Sequence, residues 1–193
     1  MNKIIKCITI FGMLSMLLVL NACGNQGTQV DVTESQKIEA FLVNYFEELS
    51  DLEDGLVGYE DDAKAFVAIE DLGMEKQDSE YVVYVWVFEE SYFPVDETTI
   101  SISHGYSIPC KVVLKVSDGG YEVVSTEMPG DTGDYGEEIE KLFPVKVQRR
   151  IDSMEDDGTI EKMVDSVEQR ALAYFNAEEI NYCPGCFSGD IDE

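Results

Sequence analysis

Tyr81-Val82-Val83-Tyr84-Val85-Trp86-Val87-Phe88 is uncharged and β-branched or aromatic at every position, the side chains that best fit a pleated sheet. Alternation places Tyr81, Val83, Val85 and Val87 on one face and Val82, Tyr84, Trp86 and Phe88 on the other. A strand that is apolar on both faces needs a covering layer on each side, so it belongs in the middle of a sheet.

Upstream, Ala65-Phe66-Val67-Ala68-Ile69 reads as a first strand. Downstream, Cys110 to Val116 alternates again, with Cys110, Val112, Leu114 and Val116 inward and Lys111 and Lys115 outward. That register makes Cys110 a buried free thiol. Ser117-Asp118-Gly119-Gly120 then turns the chain into Tyr121-Glu122-Val123-Val124, because Asp-Gly pairs adopt the positive φ angles of tight hairpins. Ile100-Ser101-Ile102 is expected as a short edge strand. Before the strands, Thr33 and Gln36 have capping-box spacing. Ile38, Phe41, Leu42, Tyr45, Leu49 and Leu52 follow at helical intervals, and the acidic Asp51-Leu52-Glu53-Asp54-Gly55 closes that helix. After Pro129, Glu137 to Leu142, Val145 to Met154 and Thr159 to Phe175 have helical patterns, the last with Ile160, Met163, Val164, Val167, Ala171 and Phe175 on one side. The order of an N-terminal helix, an antiparallel meander of about four strands and C-terminal helices predicts an α+β class domain over residues 32–178. By analogy the architecture is similar to cystatin-like or NTF2-like folds.

The chain start has a different character. Lys3 and Lys6 precede the uncharged apolar run Ile8 to Leu20, which is shorter than the roughly 20 residues a spanning helix needs and suits the core of a signal peptide. Leu20-Asn21-Ala22-Cys23 then resembles the bacterial lipobox. The resemblance implies a lipoprotein signal peptide at 1–22, a diacylglyceryl lipid on Cys23, and attachment to the outer, extracytoplasmic face of the cell membrane. Cysteine is the required residue because its sulfur is the nucleophile that takes the lipid, and two acyl chains hold a protein where one holds it marginally. Gly24-Asn25-Gln26-Gly27-Thr28-Gln29 lies in a polar, flexible tether over 23–31.

Charge narrows the partners. The chain has a formal net charge of −27, and loss of residues 1–22 removes two lysines and takes it to −29. Such a surface repels phosphates, so nucleic acid is excluded as a partner. Cations, basic peptides and basic faces of envelope proteins remain. No cofactor is implied.

Tyr121-Glu122-Val123-Val124, Pro129-Gly130-Asp131, Asp134-Tyr135, Glu138-Ile139 and Phe143-Pro144 together resemble a pattern in the extracytoplasmic regions attached to receptor metallopeptidases of the β-lactam-sensing type and in free-standing lipoproteins. The likeness covers about residues 110–175 and implies a sensory or accessory role. The peptidase itself is missing: no His-Glu-x-x-His occurs, and the chain holds a single histidine. A hairpin, a turn and a helix cap account for the same residues.

Three constellations could carry chemistry. Cys183-Pro184-Gly185-Cys186 lies in an acidic tail at 179–193 and could cycle between dithiol and disulfide or form a plain disulfide. A zinc site would require that tail to meet Cys110 and His104. Glu155, Asp157 and Glu161 supply oxygens around Gly158 as in a calcium loop, but Ser153 and Val164 stand at its two ends, where carboxylates belong. Favourable acids at a helix start explain the cluster without an ion. His104, the single imidazole, is expected in a loop or at a strand end. From the sequence, then, the leading expectation is a non-catalytic, lipid-anchored binding, sensory or accessory domain. The alternative is a small extracytoplasmic enzyme with an α+β pocket, or a redox protein working through Cys183 and Cys186.

Overall fold

The computed structural model describes residues 32–57, 62–130, 135–154 and 156–182. Helix α1 (Val32–Val57) is followed by strands β1 (Lys64–Gln77), β2 (Glu80–Pro94), β3 (Thr99–Ser117) and β4 (Gly120–Glu127). Helices α2 (Tyr135–Leu142), α3 (Val145–Met154) and α4 (Thr159–Phe175) come next, and a short β5 (Glu179–Asn181) ends the described chain. The fold is α+β. The sheet runs β1-β2-β3-β4 antiparallel, with β5 parallel to β3.

The quoted strand sits between β1 and β3, and its two faces enter two separate cores. Tyr81, Val83, Val85 and Val87 pack with Ile38, Leu42 and Phe46 of α1 and with Cys110, Val112 and Leu114 of β3. Val82, Tyr84 and Phe88 pack with residues of α2, α3 and α4, and Trp86 borders that cluster. Helix α1 therefore covers one face and the three later helices the other. Each helix does so with a stripe at helical spacing: Ile38, Leu42 and Phe46 on α1, and Met163, Val167 and Ala171 on α4, are all buried. Burying one large apolar side chain contributes about 1.5–3 kcal/mol, and these stripes hold the helices in place on the sheet.

Bulges decide which face later residues reach. In β1 the extra residue is Leu72, since Asp71 pairs with Val85 and Gly73 with Tyr84. Gly73 takes a φ of 146° and donates its N–H to Asp71 Oδ1 at 2.8 Å. In β3 the extra residue is Ser103, because Ser91 pairs with His104 and Tyr92 with Ile102. One added residue exchanges the faces of everything beyond it. Ile100 and Ile102 consequently join the α2–α4 core, whereas Cys110, Val112 and Leu114 join the α1 core.

The outer edge of β1 is managed by side chains. Glu47 and Asp51 of α1 accept the N–H groups of Val67 and Ala65, each at 3.1 Å. Arg170 of α4 donates to the Val67 carbonyl at 2.7 Å and also to Glu47. Edge groups occupied in this way are closed to another chain.

Several expectations change. The first helix runs through Gly55 to Val57, and the first strand extends from Lys64 to Gln77. Ile100-Ser101-Ile102 is not a separate edge strand but the beginning of the 19-residue β3, flanked by β2 and by β5. Pro109 lies inside β3 opposite Trp86 of β2, between the stretches paired with β5 and β4. Val116 is 47% exposed rather than inward. The hairpin at Asp118-Gly119 forms, with the positive φ carried by Gly120 at 129°. The domain also continues past residue 178, since Glu179–Asn181 form β5.

Candidate functional site

Beyond Phe88 the central strand continues through two carboxylates, Glu89 and Glu90, which point to opposite faces. Glu89 is 0% exposed on the α1 side. Ser91, also fully buried, donates its hydroxyl to Glu89 Oε1 at 2.9 Å. His104, opposite Ser91 in the register, brings Nε2 to 3.8 Å from the same oxygen. His104 is therefore a mid-strand residue of β3, not a loop or strand-end residue. The length of β3 carried it into the sheet. A buried carboxylate is retained where hydrogen bonds compensate its lost hydration, and the Ser91 hydroxyl supplies one here.

Glu90 turns to the opposite face and accepts the hydroxyl of the fully buried Tyr92. Burial raises the Glu90 carboxyl pKa, opposed by the Tyr92 hydrogen bond, and Glu168 of α4 adds repulsion. Burial, and then the Glu90 bond, likewise raise the Tyr92 phenol. Tyr182, just past β5, donates to Glu168. Burial followed by that bond pushes the Tyr182 phenol up to about 12. Glu90 fits because Gly105 faces it across the strand pair: a Cβ on Gly105 would lie 2.8 Å from Glu90 Cγ and 2.6 Å from the Glu89 carbonyl oxygen.

A third feature is an open groove of about 580 Å³ between α2, α3 and the sheet. Trp86, Tyr135, Ile139, Glu140, Gln148 and Asp152 line it. The Trp86 indole donates Nε1–H to Ser107 Oγ at 2.8 Å, which fixes the ring. Two further depressions are lined by Ser35, Ile38 and Met74 and by Thr126, Glu138 and Lys141. None of the three is lined by Glu89, Ser91 or His104.

The residues singled out in the sequence are dispersed. Cys110 is a buried free thiol in the α1 core, where burial pushes its pKa up to about 12. Six residues of strand separate it from His104, about 20 Å at 3.3 Å per residue, so the two cannot share an ion. Among the described residues no three His, Cys, Asp or Glu side chains gather into a metal-holding group. Cys23, Cys183, Cys186 and Glu155 lie outside the described residues. Glu161 is exposed on the first turn of α4.

Asp157 has structural partners instead of an ion. Its Oδ1 accepts the Thr159 N–H at 2.9 Å, and its other oxygen meets Arg150. Arg150 in turn reaches Glu70 of β1 at 2.8 Å. The hydrogen bond from Thr159, and after it that from Arg150, hold the Asp157 carboxyl down at about 2. A pKa below the ordinary 3.8 stabilises the fold above that pH and ceases to do so as pH falls toward 2. Asp157→Ala is therefore expected to melt below the unaltered protein near neutral pH, with the gap closing as pH falls to about 2. A gap in melting temperature that stays constant across that range would refute the assignment.

Glu89 and Glu90 are the site residues that sequence reasoning missed. A buried strand is expected to end at the first carboxylate, since glutamate is seldom buried unless paired. The available signal was Ser91-Tyr92-Phe93, whose strand-forming residues resume past the pair. Compared with known proteins, the chain matches no family model, no curated protein and no solved structure.

Proposed function

We propose that this chain is a lipid-anchored extracytoplasmic protein whose domain binds a partner without catalysis, in a sensory or accessory role. The observation that carries the reading is Leu20-Asn21-Ala22-Cys23 directly after the uncharged run Ile8 to Leu20. Lipid on Cys23 is the membrane contact. An envelope protein, a basic peptide or a cation is the partner class, and nucleic acid is disfavoured by the net charge of −27. None of the described helices is long and apolar enough to cross a membrane, so the anchoring in this reading rests on the lipid.

Binding is favoured over catalysis because helices cover both faces of the sheet and the grooves described are open surface features. The catalytic alternative draws on one observation. A carboxylate as buried as Glu89, with a histidine beside it, is an arrangement that acid–base sites use.

Intact-mass analysis of protein from the membrane fraction is the test. The expected species starts at Cys23 and carries a diacylglyceryl group. An uncleaved, unmodified amino terminus, or recovery of the protein from the cytosol, sinks the proposal.

A further inference from the structure

We propose that the groove at Trp86 takes the cationic side chain of a basic peptide, a guanidinium best of all. The inference rests on the binding role proposed above and assigns it a place and a ligand chemistry.

Along β2 the apolar side chains facing α2–α4 are buried at Val82, Tyr84, Phe88 and Tyr92, whereas Trp86 stays partly exposed. Its one hydrogen-bond donor is already committed to Ser107, so what the indole offers the groove it lines is its aromatic ring. Tyr135, at the start of α2, is 41% exposed beside it. The indole face is the strongest natural aromatic site for a cation. Glu140 of α2 and Asp152 of α3, both exposed, add two carboxylates, and among the described residues no cationic side chain lines the groove. Nearby Arg150 is held elsewhere by Glu70 and Asp157. The groove volume of about 580 Å³ accommodates an arginine side chain with part of its backbone. A flat guanidinium can stack on the ring while its N–H fork meets a carboxylate, which a lysine ammonium does less well. The overall charge of −27 draws such a peptide in.

Trp86 is the single tryptophan of the chain, so its emission reports on this groove alone. The purified protein in neutral detergent is titrated with a capped tetra-arginine peptide and, separately, with a capped tetraglutamate peptide. The arginine peptide is expected to change the Trp86 emission saturably, and the glutamate peptide to leave it flat. Joint replacement Glu140→Gln and Asp152→Asn is expected to weaken binding about tenfold. Joint replacement Glu39→Gln and Glu48→Gln removes the same charge from the exposed side of α1, on the other face of the sheet. That pair is expected to stay within about twofold, since salt-screened charges act weakly beyond about 10 Å. Unchanged emission at high arginine peptide overturns the proposal, and so does equal weakening by both pairs, which would mean diffuse charge attraction. Either failure leaves the lipid on Cys23 to be judged by intact mass, so the two proposals fail separately.

Discussion

Phe46→Ala is expected to lower stability by about 3–5 kcal/mol, the usual cost of emptying a fully enclosed phenylalanine site. Phe46 is 0% exposed and lies between α1 and the inward residues of β1, β2 and β3. The cavity cannot be filled by relaxation of the helix alone, because Glu47 and Asp51 tie α1 to the β1 backbone at Val67 and Ala65. A domain of this size loses about 2–4 °C per kcal/mol, so the melting temperature should fall by roughly 6–20 °C in a thermal scan followed by circular dichroism. That loss is a large share of the 5–15 kcal/mol typical of a whole domain. A change of less than about 1 kcal/mol would mean that α1 is not a stabilising layer of the fold.

Gly105→Ala is the second large effect. The added methyl would stand 2.6 Å from the Glu89 carbonyl oxygen and 2.8 Å from Glu90 Cγ. The first is central-strand backbone and cannot swing aside, so β2 and β3 must part locally or Glu90 must leave Tyr92. Overpacking of this kind costs about 1–3 kcal/mol, offset in part by the 0.4–1 kcal/mol or so that alanine gains by restricting the unfolded chain. Gly119→Ala is the matched control, since nothing lies within 4 Å of its Cβ position and its φ is not positive. In denaturant titrations Gly105→Ala should be the less stable of the two. Equal midpoints would show that the approach of Glu90 to Gly105 is not enforced.

Much of the framework could be read from residues because the signals were local. The bounds of α3 and α4 expected from the sequence are those found, Val145–Met154 and Thr159–Phe175, since helical periodicity and the intervening Asp157 and Gly158 act within a few residues. The two faces of Tyr81 to Phe88 divide between the two cores as alternation requires. The candidate site was harder to see. His104 looked like a loop residue because Gly105 and Pro109 interrupt the pattern, yet both are accommodated within β3. Glu89 and Glu90 looked like the end of a strand, yet Ser91, His104 and Tyr92 reach them from neighbouring positions.

The amino-acid order thus specifies a central strand greasy on both sides and the helices that must cover it, for each depends on contiguous residues. Long-range pairing settles the rest: the extra residue at Ser103 that exchanges the faces of β3, the merging of two short apolar stretches into one strand, and the burial of Glu89. A bulge or a sheltered carboxylate is stable because of what the partner strand and the overlying helix place against it. Those partners come together when the chain folds.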